Sequence, residues 1–112
     1  MPSKIKQWQF ITYNKLHVYG ITLFPFIVIQ HPNLLNNKTF VNHEHIHLRQ
    51  QIELLVIPFY LLYLLHYSIN LIKYKNHERA YRNICFEREA YRNESNINYL
   101  VNRKFWSWLK YL

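Results

Sequence analysis

His43-Glu44-His45-Ile46-His47 spell H-E-x-x-H, a spacing with which a single helix can hold both a metal and a base. Residues four apart stack on one face of an α-helix, so His43 and His47 can both aim an imidazole nitrogen at one Zn²⁺. Glu44 lies beside them, within reach of a metal-bound water, and the chemistry in outline is hydrolytic. On a strand, His43, His45 and His47 would instead alternate onto one face and bind a metal in another geometry. The following residues decide between the two: Leu48 to Leu55 holds nothing turn-like, and its Leu, Gln, Arg and Glu favour helix. On that helix His45 points away from His43 and His47, either supporting a ligand or facing solvent. Gln50, almost one turn beyond His47, can hydrogen-bond a ligand or cap local backbone, the second being favoured.

A downstream carboxylate belongs to the same question. Ala80, Ile84, Glu87 and Tyr91 fall at i, i+4, i+7 and i+11, one stripe of a helix, so Glu87 sits among apolar and aromatic neighbours. A carboxylate on a core face needs a metal, hydrogen-bond donors or an arginine such as Arg49 or Arg82, because an unpaired buried charge costs several kcal/mol. Glu89 lies off this stripe and is expected in solvent. Ala80-Tyr81-Arg82-Asn83 recurs as Ala90-Tyr91-Arg92-Asn93, but ten residues is not a whole number of turns, so the similarity is local.

The elements that must position these groups follow from the rest of the chain. Residues 18–30 are rich in Ile, Val, Phe and Tyr and read as strand. Pro25 cannot donate to a ladder, which predicts two short extended pieces or a bent edge strand. Turn residues follow, and Thr39 or Asn42 is expected to cap a helix over 39–57 that carries the histidines. Residues 54–72 are nineteen without a formal charge. They can span a bilayer, lie as a hairpin in or on it, or form the core helix of a soluble domain. A straight crossing would leave His47 and any later ligand roughly 30 Å apart on opposite faces, so a shared site needs a bend, expected at Pro58. A second helix over 77–99 carries Glu87, and an aromatic, basic tail, 103–112, closes the chain. That tail reads as an interfacial anchor or as tryptophans packed on the core.

The 112 residues form one domain of α+β class, mainly helical, with a short N-terminal hairpin or edge strand. Half are hydrophobic, and 14 Lys and Arg against 6 acidic residues give a formal charge of +8, so an anionic neighbour is expected. Headgroups of an anionic membrane fit that charge, and so does nucleic acid, although no nucleic-acid motif accompanies it. Cys85 has no partner for an internal disulfide and reads as a buried apolar residue. The apolar run after Lys4, Lys6 and Lys15 is interrupted by Pro25 and lacks a small-residue cleavage site, so the N-terminus is expected to be retained.

His43-Glu44-His45-Ile46-His47, followed forty residues after His47 by Glu87-Arg88-Glu89-Ala90, resembles the gluzincin zinc metallopeptidases, in which a second helix carries the third ligand in an E-x-x-A setting. The chain also resembles short bacterial proteins with H-E-x-I-H-x-x-Q-Q and F-E-R-E-A-Y. The resemblance implies zincin-like helices, His43, His47 and Glu87 as Zn²⁺ ligands and Glu44 as general base. It further implies an edge strand over 20–30 along which a peptide or protein substrate is laid. Tyr91, Arg88 and His45 are then candidates for support or for stabilising an oxyanion. Two positions depart from the family pattern: His45 stands where an apolar residue is usual, and Tyr91 where an acid or amide is. The rival reading is a non-catalytic membrane-associated protein. Either way, the expected location is the bacterial inner membrane or its cytoplasmic face.

Overall fold

The computed structural model describes residues 9–112. Lys4 and Lys6, which bear on the expected N-terminus, lie outside the described residues. The strand region over 18–30 folds as β2 (Gly20–Leu23) and β3 (Phe26–Ile29), which join a strand that precedes it, β1 (Phe10–Thr12), in a three-stranded sheet. β3 is central, parallel to β1 and antiparallel to β2, which leaves β2 on an edge. Pro25 sits in the β2–β3 turn after a cis Phe24–Pro25 bond, so the ladder loses no donor to it. Alternation turns Thr22, Ile27 and Ile29 inward, while Ile21, Leu23 and Phe26 are exposed.

Helix α1 (Lys38–Glu53) packs against β2. Gly20 makes that approach possible: a Cβ there would stand 2.5 Å from Cζ of Phe40. The cap is Asn37, whose Oδ1 accepts the Phe40 N–H at 3.1 Å, rather than Thr39 or Asn42. Asn42 faces inward, and its amide donates to the carbonyls of Glu94 and Asn96, both at 2.9 Å.

α1 ends at Glu53, short of the expected residue 57. Leu55 and Val56 take φ of 60° and 67°. Val56 is the centre of a γ-turn closed by the Ile57 N–H on the Leu55 carbonyl at 2.7 Å. Such a backbone for a β-branched residue costs roughly 1–3 kcal/mol, so its surroundings must hold it. The Val56 N–H bonds the Gln51 carbonyl at 2.8 Å, and Arg103 ties down Glu53. The chain bends by 114° there into α2 (Ile57–Tyr74). Pro58 is not the break; it lies in the first turn of α2, where an N–H has no helical partner to lose. Among the described residues no single helix is long and apolar enough to cross a membrane.

The helix expected over 77–99 is likewise divided, into α3 (His77–Arg82) and α4 (Cys85–Asn93), with a break at Asn83 and Ile84, and it ends at Asn93; a short α5 (Tyr99–Asn102) follows. α3 runs back along α2, and α4 then turns onto α1. Cys85 is buried with Leu54, Phe59, Ile84, Phe86 and Trp108 in the main core. Of the tail tryptophans, Trp108 is in that core and Trp106 is exposed.

Glu89, expected in solvent, is fully buried. The tail brings Arg103 between Glu89 and Glu53, and the guanidinium pairs with both carboxylates. Tyr99 and Gln50 also donate to Glu89. Arg103 outweighs the cost of burial and holds the Glu89 carboxyl below its usual range. A one-helix stripe could not reveal this, because Glu89 is buried by a segment that arrives from elsewhere.

Candidate metal centre

Helical spacing places His43 and His47 on one face of α1, with ring centroids 4.8 Å apart. The two bends bring Glu87, near the start of α4, against that face. Nε2 of His43 and Nε2 of His47 are 3.1 Å apart, and Glu87 Oε1 lies 3.2 and 3.0 Å from them. All three side chains are buried. This group could hold a metal ion. A tetrahedral ion with bonds of about 2.0–2.2 Å sets its ligand atoms roughly 3.3–3.6 Å apart, so only slight expansion of the triangle would be needed.

The hydrogen bonds around the triangle favour a cation at its centre. His43 Nδ1 faces Glu94 Oε1 at 2.7 Å, and a carboxylate only accepts, so the proton sits on Nδ1. His47 Nδ1 faces Gln50 Oε1 at 2.9 Å. The Gln50 orientation follows from its other end, where Nε2 donates to the Phe86 carbonyl at 3.1 Å and Glu89 Oε1 at 2.9 Å. His47 therefore also carries its proton on Nδ1. In neutral imidazoles this leaves both Nε2 lone pairs directed at each other and at a carboxylate oxygen, three acceptors without a donor. A metal ion answers that arrangement, and so does one added proton.

The electrostatics agree. Burial disfavours a charged His47, but the charge and hydrogen bond of Glu87, with Glu44 nearby, outweigh it and push the imidazole up to about 9. Burial likewise opposes ionisation of Glu87, yet His47 and the imidazole hydrogen bonds hold its carboxyl well below the usual range. The second oxygen of Glu87 accepts from the Tyr63 hydroxyl at 2.6 Å. Burial first, then the Glu87 charge, raises the Tyr63 phenol far above its ordinary value, so it remains a donor.

Glu44 is held beside the triangle by Thr22 of β2, whose hydroxyl donates to Oε1 at 2.7 Å. His43 and Glu44 line one wall of an open cleft of about 940 Å³. Gly20 on the β2 edge lines another wall, and Tyr81, Arg82 and Tyr91 a third. The β2 pairing directs the Gly20 and Thr22 backbone groups away from β3. The Thr22 carbonyl is taken by Gln51 and Tyr60. The Tyr81 and Tyr91 hydroxyls are 3.1 Å apart, and the Tyr91 ring meets His43 edge-on at 4.5 Å.

His43, Glu44, His47, Glu87 and Tyr91 are thus brought together. His45 and Arg88 are not: His45 faces a small hollow lined by Leu48, Ile52 and Leu100, while Arg88 bonds the Tyr111 carbonyl and the Asn83 side chain. Gln50 bonds His47 rather than local backbone. Glu87 pairs with neither Arg49 nor Arg82; Arg82 meets Glu78 and the Tyr91 ring instead. Tyr63, Thr22 and Glu94 join the site without having been singled out by the motif or by the stripe of α4. Glu94 had a signal, since it extends the stripe of Glu87 and Tyr91 by one more turn. Compared with family models, curated proteins and solved structures, the chain matches none, so the site is read on its own chemistry.

Proposed function

We propose that the chain is a small zinc-dependent hydrolase that cleaves peptide bonds, with Zn²⁺ held by His43, His47 and Glu87. The observation that carries this reading is the convergence of two imidazole nitrogens and a carboxylate oxygen beside Glu44 and an open cleft. Zn²⁺ held by these three residues would supply Lewis acidity, which polarises a carbonyl and activates water. Glu44 is the base: Thr22 steadies Oε1, and Oε2 takes the proton and passes it to the leaving amine. Of the Tyr81 and Tyr91 hydroxyls, which share a hydrogen bond, one keeps its proton free as a donor for the charge that develops on the substrate oxygen. The outward backbone groups of Gly20 fit pairing with an extended peptide, which favours a peptide over other carbonyl substrates.

Metal content of protein purified without added metal, together with cleavage of a peptide library, tests the reading. One zinc per chain is expected, lost in His47→Ala. Glu44→Gln is expected to keep the zinc and abolish cleavage. Normal cleavage by Glu44→Gln would eliminate the mechanism, and a metal-free protein that binds no added zinc would eliminate the site.

A further inference from the structure

α2 is amphipathic in the reverse sense for a helix facing water. Its inward stripe is Phe59, Tyr63, Tyr67 and Asn70, aromatic and polar. Every leucine and isoleucine it contains is exposed, with Leu61 at 64%, Leu65 at 57% and Ile72 at 77%. Eighteen residues at 1.5 Å each make an aliphatic face about 27 Å long, much more than the scattered apolar residues of an ordinary surface. Leu55 precedes it in the bend, and the tail adds exposed Phe105 and Trp106, whose backbone N–H is anchored on Glu53 at the end of α1.

Charge indicates what covers this face. Of the six acidic residues, Glu44, Glu53, Glu87 and Glu89 are buried, and the remaining two, Glu78 and Glu94, line the cleft. α2 and the 103–112 tail contain no carboxylate side chain, while Lys73, Lys104 and Lys110 stand exposed on them. A second copy of the chain would bring the same cations against these. An anionic bilayer is complementary to both features, accepting the aliphatic and aromatic side chains below its headgroups and the lysines among its phosphates.

We propose that the outer face of α2, with Phe105 and Trp106, is a membrane-binding surface on which the protein lies in the interface of anionic lipid without crossing it. This inference is independent of the metal and of any catalysis. The full chain is incubated with vesicles of phosphatidylcholine containing phosphatidylglycerol, or of phosphatidylcholine alone, and sedimented. Binding to the anionic vesicles is expected. Leu61→Asp with Leu65→Asp should weaken it on the order of a hundredfold or more. Since both side chains are exposed, the helical circular dichroism should be unchanged. Phe105→Ser, a milder change elsewhere on the surface, should weaken binding by roughly tenfold. Raising salt from about 0.1 to 1 M shortens the screening length from about 10 to 3 Å and should release less protein than the double change. An unmodified chain that stays in the supernatant with anionic vesicles would overturn the proposal. So would equal binding by the double variant, or a salt-resistant dimer in solution that this variant dissociates.

Discussion

The Tyr63 hydroxyl donates to Glu87 Oε2 at 2.6 Å, from a helix on the far side of the 114° bend from the histidines that meet Oε1. One carboxylate is thus fixed from two helices, its two oxygens serving different partners. Tyr63→Phe removes the donor with little change of shape. Zinc affinity, measured by competition with a chelator, should fall by about 10–100-fold, the usual cost of losing a partner that orients a ligand. An unchanged affinity would mean that Glu87 is held without Tyr63.

On the proposed zinc reading, metal and proton would compete for His47. Without metal its folded value lies near 9, raised above the ordinary 6.5. The protonated ring therefore contributes stability that is fully present below 6.5 and is lost as pH rises through about 9. Metal must displace that proton, so zinc affinity should climb with pH up to about 9 and then level, and near neutral pH each ion should release about one proton. Calorimetry in buffers of different ionisation enthalpy measures that release.

Glu89 behaves in the opposite sense. Its folded value is lowered, so its contribution is present above the ordinary value near 4.5 and is lost as pH falls through the lowered one. Denaturant midpoints should therefore decline in acid. Arg103→Ala leaves Glu53 and Glu89 buried without their cation and should cost about 3–5 kcal/mol at neutral pH. Arg103→Ala together with Glu53→Gln and Glu89→Gln should recover part of that loss.

Gly20→Val tests the strand–helix contact. The new Cβ meets the Phe40 ring, and relief requires β2 or Phe40 to move. A loss of roughly 1–3 kcal/mol is expected, read from thermal or denaturant unfolding. Gly20→Val with Phe40→Ala should be more stable than the sum of the two single changes implies, because the second removes the clash created by the first.

Helical periodicity was enough to put His43, Glu44 and His47 on one turn-spaced cluster and to turn Glu87 inward, because i, i+4 and i+7 relations are local and survive any arrangement of the helices. The α+β class and the two short strands around Pro25 were legible for the same reason, since alternation and a missing donor act within a few residues. Periodicity alone did not say what the stripe of Glu87 would meet; only the family resemblance joined it to His43 and His47. That meeting depended on Leu55 and Val56 adopting positive φ without a glycine, and on the break at Asn83 and Ile84, neither of which leaves a compositional mark. Those two bends decided that Glu87 reaches both His47 and Tyr63, that Arg103 buries Glu89, and that the aliphatic side of α2 is left outside. Side-chain pattern fixes which face of a helix is which. Only the path of the backbone between helices decides what that face touches.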